Sequence, residues 1–122
     1  WDAFLRRLTE VDRPVPGICY GLVDQDPQDA ERLSYCSAIE VDTIERIPDG
    51  MRVVTIEPQT YAVFRHVGAP EQLDNTVNYI YSNWLHTAGW RHTQSADIEC
   101  YGPEYLPGTD TCVTEYAIPV SR

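Results

Sequence analysis

The sequence predicts an α+β fold built on an antiparallel sheet. Several segments alternate between apolar and polar residues, as strands do, and one long segment repeats apolar residues at helical spacing. The tetrapeptide ICYG at 18–21 also returns as ECYG at 99–102, an offset of 81 residues. This near-repeat, with a similar order of elements around each copy, indicates two related units that share one sheet and form a groove where they meet.

A short amphipathic helix opens the first half. It is predicted from apolar residues at helical spacing, namely Trp1, Phe4, Leu5 and Leu8. Pro14 and Pro16 prevent this helix from continuing. Strands are predicted over 17–23 and 33–41, and the acidic stretch between them, 24–32, is predicted to be a loop.

The second half contains the clearest helix. It follows a turn at 47–50 and two predicted strands over 51–57 and 60–67. Pro70 suits the first turn of a helix, and Gly89 suits the position after its last turn. Between them, one apolar stripe predicts the side of the helix that packs on the sheet: Leu73, Val77, Ile80, Trp84 and Leu85.

Two further strands, 96–101 and 112–120, complete the second half. Each half therefore contains a helix followed by two strands, and the second half has an additional strand before its helix. The equivalent first strand of the first half would lie upstream of the first residue, so we expect it to be missing from this chain. Residues 1–122 are expected to form one domain, with units of approximately 1–46 and 47–122.

The charge of the chain bears on its partners. It has 19 Asp and Glu residues against nine Arg and no Lys, which gives a net charge of −10. Because nucleic-acid phosphates are bound by clustered Arg and Lys, we expect no direct contact with nucleic acid. The acidity suits a neutral or cationic partner, and it is equally explained by a need for solubility.

We expect a cytoplasmic protein that needs neither a metal nor a cofactor. No run of about 18 apolar residues and no signal peptide is evident, so we expect no contact with a membrane. The three histidines show no metal-ligand spacing. The cysteines match no zinc or redox motif and are expected to be reduced core residues: Cys19, Cys36, Cys100 and Cys112.

The segment ADIECYGPEY at 96–105 raises the question of why a strand of apolar character carries Glu99 at its centre. Strand alternation places Glu99 on the same face as Asp97 and Tyr101. The tetrapeptide repeat makes Ile18 the counterpart of Glu99. It also predicts two related pairs of tyrosines around one groove, Tyr20 with Tyr101 and Tyr35 with Tyr116.

Two interpretations of Glu99 follow. In one, the carboxylate and the aromatic rings attract a cation, and they do so more strongly when desolvated. In the other, Glu99 lies on a solvent-exposed face, as is common in antiparallel sheets, and the tyrosines are ordinary strand residues. Trp84 is interpreted either as a core residue at helical spacing, which is favoured, or as a wall of the groove.

Several motifs resemble the GyrI-like small-molecule-binding domain. They are YAVFRHVG at 61–68, WL at 84–85, GW at 89–90, IECY at 98–101 and EYAIPV at 115–120. Trp1 and Phe4 in the first helix also resemble the W-x-x-F helix of that family. The resemblance covers nearly the whole chain and is most specific in its second half.

The resemblance implies two β-α-β-β units that form a curved antiparallel sheet with the helices on one side. It also implies a groove for lipophilic, often cationic, small molecules, as in the effector-binding half of AraC-type and multidrug-responsive regulators. Glu99 takes the position of the family's buried acid. The aromatic wall that the resemblance implies consists of Tyr101, Tyr35, Tyr116 and Trp84, to which the repeat adds Tyr20.

The predicted function is therefore to bind lipophilic, cationic aromatic small molecules, as a sensor or a sequestering protein. The alternative is an enzyme, because some GyrI-like proteins hydrolyse strained cyclopropane-type compounds; Glu99 would activate water and Tyr101 would act as the acid. Binding is favoured because the sequence shows no second acid or base at a defined position. Inhibition of DNA gyrase is a further alternative, and the sequence leaves open whether a DNA-binding domain is attached upstream.

Overall fold

The computed structural model describes residues 1–12, 14–26 and 28–122. The strands are β1 (Cys19–Asp26), β2 (Asp29–Ala38), β3 (Tyr61–Val67), β4 (Arg91–His92), β5 (Asp97–Tyr101) and β6 (Val113–Ser121). The first helical segments are α1 (Asp2–Leu5) and a 3-10 turn (Leu8–Glu10). A long helix is made of four consecutive parts: a 3-10 turn (Pro70–Gln72), α2 (Leu73–Tyr79), a π-helical turn (Ile80–Trp84) and α3 (Leu85–Thr87).

The strands form one antiparallel sheet. Its main path is β2-β1-β5-β6-β3, and β4 pairs with the last residues of β6. The predicted α+β fold with an antiparallel sheet is therefore confirmed. None of the described helices combines the length and the apolar character that crossing a membrane requires.

The long helix packs on the sheet through the predicted apolar stripe. Ile80 is fully buried against Tyr116, Ile118 and Val120 of β6. Burial of one aliphatic side chain of this size stabilises a fold by about 1.5–3 kcal/mol. Further residues packed on this cluster are Ala62, Phe64, Leu73, Val77, Trp84, Leu85 and Trp90. Gly89 has a φ of 77°, the left-handed conformation expected after the last turn of a helix.

The long helix lies on the face of the sheet that carries Glu99, which we call the helix face. Tyr116 is directly opposite Glu99 in the ladder and packs under the long helix. Trp1, next to α1, contacts the rings of Tyr35 and Tyr101 on the same face. The other face, which carries Tyr20 and its neighbours, is called the second face below.

His66 joins β3 to the long helix. It is 8% exposed, and its Nε2 lies 2.8 Å from the carbonyl oxygen of Ala69. Because a carbonyl only accepts, Nε2 carries the hydrogen, and Nδ1 accepts the hydroxyl of Thr76 at 2.8 Å. His66 therefore has a structural role, with both ring nitrogens occupied.

The predicted bounds of the first two strands, 17–23 and 33–41, differ from the structure at both ends. Most of the predicted loop over 24–32 is strand, because β1 continues to Asp26 and β2 begins at Asp29; Pro27 lies outside the described residues. The pairs Asp24–Ser34 and Gln25–Leu33 belong to this extension. Acidic side chains do not prevent this extension of the strands. A polar composition indicates exposure to water, whereas strand pairing depends on backbone hydrogen bonds.

The strand predicted over 51–57 is wrong. This segment has no strand pairing; instead, its residues line a cleft on the second face. β-propensity measures how well a side chain fits a pleated surface. A segment of high β-propensity forms a strand only where another strand lies beside it. Within the described chain, β3 pairs with β6, and no strand lies alongside 51–57.

The strand register agrees with the tetrapeptide repeat only in part. β1 and β5 are antiparallel neighbours in one sheet, as the repeat requires, and the rotation between them stays a prediction. The repeat aligns Tyr20 with Tyr101, but in the ladder Tyr20 pairs with Cys100. Because neighbouring residues of a strand point to opposite faces, Tyr20 and Tyr101 lie on opposite faces of the sheet. The ladder gives another match: Tyr35 pairs with Val23 as Tyr116 pairs with Glu99.

The correspondences of Tyr35 with Tyr116 and of Ile18 with Glu99 stay predictions. The cysteine prediction is also only partly correct. All four cysteines are free thiols, but only Cys112 is buried, whereas Cys19, Cys36 and Cys100 are half-buried.

Thr114→Val should raise stability by about 1 kcal/mol, because Thr114 Oγ1 is buried with no hydrogen-bond partner among the described residues. Urea unfolding measures the change. The matched control is Thr76→Val, which removes the hydroxyl that His66 accepts and should lower stability. Equal losses in both variants would show that the Thr114 hydroxyl has a partner in solution.

Candidate functional site

Glu99 lies at the centre of the sheet. It is in the middle of β5, opposite Gly21 of β1 on one side and Tyr116 of β6 on the other. Its Oε1 accepts hydrogen bonds from the hydroxyls of Tyr101, at 2.6 Å, and Tyr35, at 2.8 Å. Both donors use the same oxygen. Among the described residues, Oε2 has no hydrogen-bond partner.

Gly21 provides the space for this arrangement. A Cβ atom at position 21 would overlap the Tyr35 hydroxyl and lie 2.7 Å from Glu99 Oε1. Tyr35 reaches Glu99 from β2 across β1, so any larger residue between them would force the hydroxyl or the carboxylate to move. The glycine is required here by the close approach of two side chains and not by its backbone conformation.

An aromatic wall surrounds the Glu99 carboxylate. The Trp1 ring lies edge-on to the rings of Tyr101 and Tyr35, with centroid distances of 5.6 and 6.4 Å. Its Nε1 also donates to the Tyr35 hydroxyl at 2.7 Å. Tyr105 packs edge-on against Tyr101 at 4.8 Å. The wall therefore consists of Trp1, Tyr35, Tyr101 and Tyr105, and it offers both ring surface and neutral donors.

The hydroxyls of this wall keep their protons. Burial strongly raises the pKa of Tyr101, and its hydrogen bond to Glu99 raises that pKa further. Burial also raises the pKa of Tyr35, and the hydrogen bond to Glu99 adds to the increase. Both effects disfavour the phenolate. These tyrosines therefore act as donors to Glu99 and do not release their protons near neutral pH.

Asp97 forms a second carboxylate network on the helix face. It is 5% exposed. Its Oδ2 accepts the hydroxyls of Tyr116, at 2.8 Å, and Tyr81. Its Oδ1 accepts Nε2 of His92 at 2.8 Å. Since Nδ1 of His92 accepts the backbone N–H of Gln94, the hydrogen of a neutral imidazole is on Nε2.

The two carboxylates have different environments. Burial, followed by the charge and hydrogen bond of Asp97, strongly raises the pKa of Tyr116, and burial likewise raises that of Tyr81. Both oxygens of Asp97 are thus occupied by protonated donors inside the protein. Glu99 is partly exposed and keeps one oxygen without a protein partner among the described residues. Of the two acids, Glu99 therefore has the more open carboxylate.

The structure brings only some of the predicted site residues together. Tyr101 and Tyr35 bind Glu99, whereas the hydroxyl of Tyr116 is directed to Asp97. Trp84 lies in the core, with its ring 5.0 Å from Phe64. Tyr20 points to the second face, so the expectation that all four tyrosines surround one groove is wrong. The reason is register, since Gly21 and not Tyr20 is opposite Glu99.

Sequence reasoning missed the Asp97 network and two members of the wall. Alternation placed Asp97 on the face of Glu99, but no spacing linked it to His92 and Tyr81, which come from β4 and the π-helical turn. Trp1 was recognised only as part of a helix motif. Tyr105 follows β5 in an irregular segment, where no periodicity indicates a direction.

Comparison with known proteins identifies the family of this chain. Residues 1–121 match the family described as the GyrI-like small molecule binding domain. The chain is also 29% identical, over 106 residues, to the transcriptional regulator BrlR of Pseudomonas aeruginosa. That alignment covers 86% of this chain and 38% of the relative, so the chain spans well under half the length of BrlR. This chain thus belongs to the family of GyrI-like small-molecule-binding domains.

Proposed function

We propose that the chain binds lipophilic, cationic aromatic small molecules against Glu99 and its aromatic wall. The observation that carries the proposal is the carboxylate of Glu99, held on one oxygen by two neutral hydroxyls and bordered by four aromatic rings. No Arg is paired with Glu99 among the described residues. A bound cation would therefore meet an acid that no protein cation has neutralised.

The wall and the acid select the same kind of ligand by different interactions. Faces of Trp and Tyr attract a cation by about 0.5–1 kcal/mol when exposed and by about 2 kcal/mol when water is excluded. A hydrogen bond or ion pair to a charged group adds about 1.5–3 kcal/mol. A neutral aromatic molecule of the same shape gains the ring contacts alone. Discrimination between the two should consequently come from Glu99.

The protonation state of the tyrosines supports binding over hydrolysis. In the hydrolytic alternative Tyr101 would donate a proton to the substrate, but its pKa is strongly raised by burial and by Glu99. The second acid, Asp97, is buried with both oxygens occupied, so it is not placed to activate water. Glu99 is thus left without a partner for acid–base catalysis among the described residues.

The family and the relative support a ligand-sensing role. BrlR is a transcriptional regulator, and the chain corresponds to only part of it. We propose that this chain supplies the ligand-sensing step of such a regulator in the cytoplasm, without a metal or cofactor. Its net charge of −10 supports the view that DNA contacts are made by another domain or protein.

Glu99→Gln should weaken binding of N-methylquinolinium by about 1.5–3 kcal/mol, because the charge is lost and the shape is kept. Binding of methylnaphthalene, a neutral molecule of similar shape, should hardly change. Calorimetric titration of both ligands measures the difference. Glu115→Gln is the control, since Glu115 lies on the second face of the neighbouring strand. Equal losses for both ligands, or none for either, would rule out Glu99 as the cation site.

Gly21→Ala should lower the affinity for N-methylquinolinium and destabilise the fold by about 1–3 kcal/mol, because the new methyl group displaces Tyr35 from Glu99. Gly102→Ala is the matched control. A Cβ at position 102 meets no atom within 4 Å, so stability and affinity should be retained. The comparison uses urea unfolding and calorimetry, and similar behaviour of the two variants would contradict the close approach described here.

Protein stability should fall as the pH rises above about 10, the ordinary pKa of tyrosine. The folded-state pKa values of Tyr101 and Tyr116 are raised, so their contribution is complete below pH 10 and is lost as unfolding releases their protons. The chain has no lysine to obscure this slope. Tyr116→Phe should make the slope shallower by up to about 1.4 kcal/mol per pH unit.

Urea unfolding at a series of pH values from 7 to 11 measures both slopes. Between pH 7 and 9 the wild type and Tyr116→Phe should show the same slope, although the variant is less stable because Asp97 loses a donor. A variant whose slope above pH 10 equals that of the wild type would show that Tyr116 ionises equally in the folded and unfolded states.

A further inference from the structure

A large cleft lies on the second face of the sheet, away from Glu99. Its volume is about 720 Å³, within the range of about 300–1,000 Å³ that is typical of small-molecule sites. The strands contribute Tyr20, Leu22 and Ile98 to its floor. The irregular segment 39–56, which joins the two units, forms its outer wall.

The lining of this cleft is aliphatic, in contrast to the wall around Glu99. Ile44, Ile47, Val53 and Ile56 all line it, yet each remains 43–56% exposed. Contiguous exposed apolar surface of this kind marks a binding surface more often than a solvated one. The aliphatic composition favours a flexible hydrocarbon chain over an aromatic cation, because there are few rings for a cation to stack on.

Arg52 lines the cleft and has no hydrogen bond or ion pair among the described residues. The other arginine of the lining, Arg46, is held by Asp12, at 3.7 Å, and by the carbonyl oxygen of Glu10, at 2.8 Å. Arg52, in contrast, is exposed, and no acid among the described residues holds it. Its guanidinium is therefore available to an anion in the cleft.

The acids of the lining indicate where an anion would sit. Asp12 is occupied by Arg46. Glu40 lies near Tyr20, whose pKa is raised by burial and then by the charge of Glu40. An anionic head group would be repelled at the Tyr20 end and attracted at Arg52.

We propose that this cleft binds an amphipathic carboxylate, with its hydrocarbon chain on Leu22, Ile98 and segment 39–56 and its head group at Arg52. The inference is independent of the proposed function, because it concerns the opposite face of the sheet and a ligand of opposite charge. The two sites would let one small domain bind two chemical classes of molecule.

Calorimetry with dodecanoate as the probe tests the proposal. Arg52→Gln should weaken dodecanoate roughly tenfold or more, the loss expected for a hydrogen bond between charged groups. Arg32→Gln is the matched control, since Arg32 is exposed, does not line the cleft and also has no partner among the described residues. Dodecyltrimethylammonium should bind more weakly than dodecanoate, because it meets Arg52 with the wrong charge.

Titrating each variant with the ligand of the other site distinguishes the two sites. Glu99→Gln should leave dodecanoate affinity unchanged, and Arg52→Gln should leave N-methylquinolinium affinity unchanged. Loss of dodecanoate binding in Glu99→Gln would place that ligand on the helix face and overturn the proposal. Absence of dodecanoate binding, or equal binding by wild type and Arg52→Gln, would also overturn it. So would a stable dimer in sedimentation that excludes dodecanoate, because a second copy would then cover the cleft.

Discussion

The antiparallel pairing of β5 between β1 and β6 determines where the chemistry of this domain lies. In that register Glu99 stands between Gly21 and Tyr116, and every second residue of β5 points to the helix face. A shift of one residue would turn Glu99 toward the second face and bring Ile98 under the helices. In this register Tyr35 approaches Glu99 closely over Gly21.

The same register explains why two acids in one strand have different roles. Asp97 lies beneath the long helix, where Tyr81, Tyr116 and His92 occupy both of its oxygens. A buried carboxylate requires such donors, since an unpaired one would cost several kcal/mol. Glu99, one pleat further along, is bordered by rings and not covered by the helix. It retains an oxygen without a partner among the described residues.

The two faces of the sheet offer opposite chemistry. The helix face combines a carboxylate with aromatic rings, whereas the cleft on the second face combines aliphatic side chains with Arg52. The difference arises because alternate residues of one strand face opposite ways. Tyr20 illustrates this, since it lies one residue from Gly21 and still belongs to the other face. A single sheet therefore presents two surfaces of different chemistry.

The local sequence pattern was sufficient to predict the long helix, the strands near 60–67 and 112–120, and the shared face of Glu99 and Tyr101. Helical spacing and strand alternation can be recognised from residues that are close together in the sequence. The acid at the centre of the candidate site followed from the same alternation together with the family motif. Non-local facts were not accessible in this way. They include the pairing of Glu99 with Gly21, the assembly of the Asp97 network and the unpaired state of 51–57. Each depends on which strand lies beside which, and in what register, and that choice is made by packing between residues far apart in the chain. Only the tertiary structure could decide it.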